Sequence, residues 1–142
     1  MQTPSSSLIF SDVGIVGAGA MGRGIAQLAA QAGSRVWLYD TSSHAAEQAR
    51  TALDHQWQSL VAKGRLAPDA AQAYLARVSV AQDLQAFAPC TLVVEAAIER
   101  LDIKQHVFAD LERIVSAETV LATNTSSCLL YTSDAADDLL CV

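Results

Sequence analysis

The chain has 142 residues, of which 51% are hydrophobic, so it is long enough for one domain with a sizeable core but not for two. Its nine basic and fifteen acidic residues give a net charge of −6, and the basic ones are not clustered, which argues against binding nucleic acid or an anionic membrane. No segment approaches the roughly 18 apolar residues of a membrane span, and the start of the chain lacks the regions of a signal peptide. We therefore expect a cytoplasmic protein whose partner is a small molecule. The three cysteines have no metal-ligand spacing, and no metal site is predicted.

Strand and helix signals alternate from the first residues onward. After a Ser-rich leader, predicted to be flexible over residues 1–12, the apolar run 13–16 predicts a strand buried on both faces. Apolar residues then recur at helical spacing over 21–32, and Gly33 follows where a helix C-cap favours a left-handed residue. Residues 35–40 predict a second strand. Strand, helix and strand within about 30 residues indicate a parallel βαβ unit and the α/β class.

Further strands and helices are predicted up to residue 127. In chain order they are a long helix from Ser42 or Ser43 to Lys63, a shorter one opening at Pro68, a strand beginning at Thr91, an amphipathic helix over 107–115 and a strand over 119–123. Because no repeat or linker interrupts them, we predict one domain over 13–127. Its expected fold is a Rossmann-type, doubly wound parallel sheet.

A glycine motif, GAGAMG, lies between the first predicted strand and helix. Gly17, Gly19 and Gly22 fit the pattern G-x-G-x-x-G, and Asp40 follows at the end of the second strand. Gly17 allows a tight turn, Gly19 lets the backbone approach a pyrophosphate, and Gly22 lets the helix pack closely on the strand. The helix N-terminus offers free N–H groups to the phosphates, and Asp40 would accept hydrogen bonds from the ribose hydroxyls.

The acidic residue at the end of the second strand also bears on the choice of dinucleotide. A carboxylate at Asp40 repels a 2′-phosphate, and the next four residues, TSSH, include no Arg or Lys to bind one. NAD is therefore favoured over NADP. The alternative is that the small residues of the motif serve helix packing and that Asp40 merely ends a strand.

Four separated blocks carry a more specific resemblance. VGIVGAGAMGRGIAQLAAQAG, LYD, VVEAAIERLDIKQ and LATNTSS occur in this order, and together they resemble the N-terminal domain of the 3-hydroxyacyl-CoA dehydrogenases over residues 13–127. The resemblance implies oxidation of a 3-hydroxyacyl-CoA to a 3-oxoacyl-CoA with NAD, in fatty acid metabolism such as β-oxidation. It also implies a homodimer formed through a C-terminal helical domain.

The resemblance also implies roles for individual residues. Ala20 and Met21 would lie against the dinucleotide, and its nicotinamide end would be contacted by Ile98, Glu99 and Lys104. Ser126 would lie beside both the nicotinamide and the acyl substrate, in a supporting catalytic role. Lys63 would contact the coenzyme A portion of the substrate. Each of the polar residues also has a purely structural role open to it. Glu99 and Lys104 could be solvated residues flanking a helix start, Ser126 could cap the next helix, and Lys63 could complement a helix dipole.

The end of the chain departs from the family pattern. The resemblance places the proton-accepting histidine and its glutamate beyond Ser126, past Val142, so we expect the chain to lack this dyad and to be inactive, with a sheet incomplete at its C-terminal end. Residues 128–142, CLLYTSDAADDLLCV, instead resemble the translation of a transposon-end adapter used in sequencing libraries. We expect a non-native tail here and a bare sheet edge beside the last family strand.

Two other functions fit the glycine motif. One is an NAD-dependent dehydrogenase of similar fold that acts on free hydroxyacids. The other is a binding or structural relative without activity, such as a lens crystallin that keeps NAD binding. The block VVEAAIERLDIK together with NTSS favours the acyl-CoA family, but the sequence does not determine the acyl-chain preference.

Overall fold

The computed structural model describes residues 10–96, 101–123, 128–129, 131–132 and 140–141. Five parallel strands form most of the main sheet, to which one short strand described below is added: β1 (Asp12–Val16), β2 (Arg35–Tyr39), β3 (Val78–Val80), β4 (Leu92–Glu95) and β5 (Val120–Thr123). Four α-helices connect them: α1 (Ala20–Ala32), α2 (Ser43–Ala62), α3 (Pro68–Ala76) and α4 (Leu101–Ile114). A short 3₁₀ helix, Leu84–Phe87, precedes β4.

The five strands are parallel and lie in the order β3-β2-β1-β4-β5. Chain order therefore reverses between β1 and β4, which is the switch point at which such sheets bind ligands. At the carboxyl edge, Val16 pairs with Tyr39 on one side and with Glu95 on the other, and Glu95 pairs with Thr123. The predicted α/β, Rossmann-type sheet is confirmed. Among the described residues, no helix has the length and apolarity needed to cross a membrane.

Apolar layers cover both faces of the sheet. On one face, Val13 and Ile15 of β1 pack with residues of α1 and α2, including the fully buried Trp57. On the other face, Val16 and Val93 pack with Phe108 of α4 and with the 3₁₀ helix. Every residue of β1 is buried, as the apolar run over 13–16 predicts, and burial extends to Asp12 as well.

Most element boundaries agree with the pattern of the sequence, but α4 begins at Leu101, six residues before the expected helix over 107–115, and one strand is not predicted. Gly33 ends α1 with φ 108°, in the predicted left-handed conformation, and Ser42 caps α2 by accepting a hydrogen bond from the N–H of Ala45 at 3.3 Å. The sequence does not predict the strand β3. Its three residues, VSV, are too few for an apolar pattern to separate a strand from a loop.

Three two-residue strands follow β5. β6 (Cys128–Leu129) pairs with β8 (Leu140–Cys141), and β7 (Tyr131–Thr132) pairs antiparallel with Val120 and Leu121 of β5. The expectation of a bare edge beside β5 is therefore wrong for these two positions. The N–H and C=O groups along an edge strand pair with any extended segment that reaches them, and Tyr and Thr favour extended backbone.

Cys90 is predicted to make the stability of the fold sensitive to alkaline pH. Its thiol is buried, and burial, helped by the negative charge of Asp12, raises its pKa from 9.0 to about 12. Between pH 9 and pH 12 the folded chain keeps the thiol proton that the unfolded chain has lost. The stability that the protonated thiol contributes is therefore complete below pH 9 and is lost as the pH rises toward 12. Each pH unit lowers the free energy of unfolding by up to about 1.4 kcal/mol. Urea unfolding between about pH 9 and about pH 11 should show a shallower pH dependence for Cys90→Ala, and equal slopes would contradict the prediction.

Candidate functional site

The loop between β1 and α1 begins with a tight turn at Gly17. This residue has φ 113°, a left-handed backbone conformation that residues other than glycine rarely adopt. Its N–H donates a hydrogen bond to the carbonyl of Tyr39 at 2.7 Å. The hydrogen bond ties the loop to the end of β2. The turn that the motif predicts at Gly17 is therefore present at the carboxyl edge of the sheet.

The first turn of α1 lies directly against this loop. A Cβ atom added to Gly22 would stand 1.8 Å from the carbonyl oxygen of Gly17 and 3.3 Å from the side chain of Ile15. Because the nearest of these atoms belongs to the backbone, no side-chain movement relieves the contact. Only glycine at position 22 allows α1 to approach the loop this closely.

The N-terminus of α1 is suited to an anion. Its N-cap residue is Gly19, so no side chain caps the free N–H groups, and the first turn contains no acidic residue. A Cβ added to Gly19 would meet no described atom within 4 Å, and Ala20 and Met21 beside it are exposed. Protein packing therefore does not explain glycine at position 19, whereas a pyrophosphate close to the backbone would.

Asp40 lies beside the glycine loop. One oxygen of its carboxylate accepts a hydrogen bond from the N–H of Ala18 at 2.8 Å, and the other accepts one from the N–H of Ser42 at 3.0 Å. The residue is half-buried, and a carboxylate has about four acceptor positions, so it can still accept bonds from a ligand. Asp40 therefore holds the loop that the motif forms as well as ending a strand, and its contact with a ribose stays a prediction.

A buried polar cluster lies farther along the same edge, at the ends of β4 and β5. Glu95 is fully buried, Lys104 of α4 is 5% exposed, and the Nζ of Lys104 lies 3.3 Å from Oε1 of Glu95. The hydroxyl of Thr123 donates to the same carboxylate oxygen at 2.6 Å and accepts from the Nζ of Lys104 at 3.3 Å. We call these three residues the edge cluster.

Known proteins are similar to this chain in sequence and in fold. A sequence profile of the family described as "3-hydroxyacyl-CoA dehydrogenase, NAD binding domain" matches residues 12–135. The chain belongs to this family. NAD is the cofactor of the family domain that the match covers.

Individual relatives agree with this assignment. The 3-hydroxyadipyl-CoA dehydrogenase of Escherichia coli K12 is 40% identical over 115 residues, which are 81% of this chain and 24% of that protein. A probable 3-hydroxybutyryl-CoA dehydrogenase of Deinococcus radiodurans is 43% identical over 114 residues, 80% of this chain and 41% of that protein. The crystal structure of a 3-hydroxybutyryl-CoA dehydrogenase from Escherichia coli K12 superposes with a TM-score of 0.82 at 38% identity, and the match covers 92% of this chain and 27% of that one. The chain thus spans about a quarter to two-fifths of the length of these relatives.

The structure brings some of the predicted site residues together and leaves others apart. The glycine loop, Asp40 and Lys104 share the carboxyl edge of the sheet. The alternative that Lys104 is a solvated residue is wrong, since its side chain is buried in the edge cluster. Lys63 is exposed at the C-cap of α2, which begins near Asp40 and extends about 30 Å, so it is remote from the loop. Three further predicted residues lie outside the described part of the chain: Ile98, Glu99 and Ser126.

Two residues of the edge cluster are absent from the site that the sequence predicts. The sequence indicates Glu95 only as the end of an apolar run at the ligand-binding edge of the sheet, and it assigns Thr123 only to a strand. The sequence signal that could have identified Glu95 is its position directly after Val93 and Val94, which places a carboxylate at the end of a buried strand. A carboxylate in such a position requires a partner, and the sequence does not identify Lys104 as that partner.

Proposed function

We propose that the chain is the NAD-binding portion of an enzyme that oxidises a 3-hydroxyacyl-CoA to a 3-oxoacyl-CoA. The observation that carries the proposal is the hydrogen bond between the carboxylate of Asp40 and the N–H of Ala18. It joins the proposed ribose-binding acid and the proposed phosphate-binding loop at the switch point of the sheet. Family membership supports the substrate class, since the relatives are named for 3-hydroxyadipyl-CoA and 3-hydroxybutyryl-CoA.

The proposed cofactor position follows from the polarity of the site. The adenosine ribose would bond to the carboxylate of Asp40, and the pyrophosphate would accept hydrogen bonds from the N-terminal N–H groups of α1, beginning at Ala20 and Met21. The nicotinamide would then extend over the ends of β4 and β5, toward Lys104 and the predicted contacts Ile98, Glu99 and Ser126. When bound, NAD supplies the ring that accepts a hydride from the hydroxyl-bearing carbon.

The same polarity supports a preference for NADH over NADPH. Both oxygens of Asp40 already accept backbone hydrogen bonds, so the carboxylate is held at the ribose position, where it would repel a 2′-phosphate. In a fluorescence titration of the 142-residue chain at low salt, we expect NADH to bind at least about tenfold more tightly than NADPH. Equal affinities would contradict the proposal, and so would an absence of binding by either nucleotide.

The substrate side of the site is proposed from the resemblance. Ser126 would contact the acyl group and Lys63 the coenzyme A portion, and catalysis would need a His–Glu dyad that lies beyond the residues matching the family. Homodimerisation, a cytoplasmic location and a role in β-oxidation are proposed on the same basis.

We further propose that residues 128–142 are translated adapter sequence. The support is the resemblance of CLLYTSDAAD to the translation of a transposon-end adapter, whose reading frame would continue after a barcode as Cys141 and Val142. Reading the source DNA across the codon for Ser127, by a method that uses no transposon adapter, tests this. A reading frame that continues into another sequence supports the proposal, whereas a genomic CLLYTSDAADDLLCV contradicts it.

A further inference from the structure

We infer that the side chain of Arg50 closes the outer side of β3 and so prevents the sheet from pairing, strand to strand, with a second copy of the chain. The inference does not depend on NAD binding. It concerns the end of the sheet farthest from β5, and it assigns a role to Arg50, which neither the sequence pattern nor the proposed function uses.

The strand β3 is the last strand of the main sheet on its side. Among the described residues it pairs only with β2. The carbonyl of Arg77 and the N–H of Ala81, on either side of β3, form hydrogen bonds to β2 at 2.8 Å and 2.9 Å. Because successive residues of a strand direct their N–H and C=O groups to opposite sides, those of Val78 and Val80 point away from β2.

The sequence of β3 favours pairing on this outer side. Its residues are VSV, and valine favours extended backbone, while the strand contains no proline or charged residue that would discourage a partner. Two copies related by a twofold axis could place their β3 strands antiparallel, with Val78 of each copy opposite Val80 of the other. Each such pair would use the carbonyl of Val78 as an acceptor.

Arg50 of α2 occupies this acceptor. Its Nε donates a hydrogen bond to the carbonyl of Val78 at 2.7 Å, and its Nη2 donates one to the carbonyl of Leu75, near the end of α3, at 3.2 Å. The residue is half-buried. A strand from a second copy would have to displace the guanidinium and break these bonds, so the hydrogen bonds that it formed would bring little net gain.

The test is the self-association of the 142-residue chain, measured by sedimentation velocity over a range of concentrations. Arg50→Met keeps an unbranched side chain but removes its hydrogen-bond donors, so this variant should self-associate at least about tenfold more strongly than wild type. Adding Val80→Pro should return the association to the wild-type level, because proline removes the outward N–H of Val80. Wild-type association of the folded Arg50→Met chain would overturn the inference.

Arg77→Met is the matched control for a general loss of stability. The guanidinium of Arg77 also donates to a backbone carbonyl, that of Ala30 at 2.7 Å, but this bond reaches α1 and not the outer side of β3. The variant should therefore associate no more strongly than wild type. Equal association of Arg77→Met and Arg50→Met would show that lost stability, and not an opened strand, is the cause, and would overturn the inference.

Arg50→Gln tests the hydrogen bond to Val78 by itself. The amide nitrogen of glutamine is as many bonds from the backbone as the Nε of arginine, so it can still donate to this carbonyl. Its association should stay within about threefold of wild type, and association as strong as that of Arg50→Met would contradict the role of the bond. If Arg50→Met does not fold, as judged by circular dichroism, Arg50→Ala takes its place with the same expected result, because alanine favours the helix.

Discussion

Gly22→Ala is expected to disrupt the fold around the glycine loop. The added methyl group would stand 1.8 Å from the carbonyl oxygen of Gly17, so α1 must move away from β1. Since Ala26 and Ala30 of the same helix are completely buried, this movement also opens the core. We expect a loss of at least about 3 kcal/mol in the free energy of unfolding, measured by urea titration, together with a loss of NADH binding.

Gly24→Ala is the matched control for this substitution. It makes the same chemical change two positions away in the same helix, where an added Cβ would meet no described atom within 4 Å. Alanine is a better helix former than glycine, so this variant should gain about 0.5–1 kcal/mol in stability and keep its NADH affinity. Equal destabilisation by the two substitutions would contradict the close packing of α1 on the loop.

Asp40→Asn is expected to have the largest effect on cofactor binding among variants that keep the fold. The change removes the negative charge, and the amide nitrogen of asparagine cannot accept one of the two backbone hydrogen bonds that the carboxylate oxygens now accept from Ala18 and Ser42. Loss of charged hydrogen bonds to the ribose should weaken NADH binding by about tenfold to a hundredfold. Since the repulsion of a 2′-phosphate is also lost, NADPH binding should weaken much less or improve.

Glu118→Gln removes one negative charge at the opposite edge of the sheet and serves as the control for Asp40→Asn. Glu118 is exposed and precedes β5, so it is remote from the carboxyl edge where Asp40 lies. Fluorescence titration of this variant should give wild-type affinities for both nucleotides. If both variants weakened NADH to the same extent, the net charge of the chain, and not the ribose contact, would explain the effect.

The part of the site formed by neighbouring segments of the chain could be predicted from the sequence. The turn at Gly17, the close packing at Gly22 and the placement of Asp40 beside the loop all follow from one βαβ unit, in which short connections fix the geometry. The same locality allowed the C-cap at Gly33 and the buried strand β1 to be predicted. Each of these features depends only on residues close to it in the sequence.

The part of the site formed by distant segments could not be predicted in the same way. The hydrogen bond between Thr123 and Glu95 joins residues 28 positions apart in the sequence, and it exists only because β5 lies beside β4 in register. Composition and spacing indicate a buried carboxylate at Glu95 but not the cation that balances it. The edge pairing of β7 depends likewise on tertiary contact and not on a local pattern.

The central claim is that the glycine loop and Asp40 form the binding site for NAD. Its most direct test is an amide NMR titration of the isotopically labelled 142-residue chain with NADH, because the loop N–H groups would bond to the ligand itself. The account predicts that the largest shifts fall on residues 17–22 and 40–42, with smaller shifts at the ends of β4 and β5. Binding that shifts other residues and leaves the loop amides unchanged would contradict it.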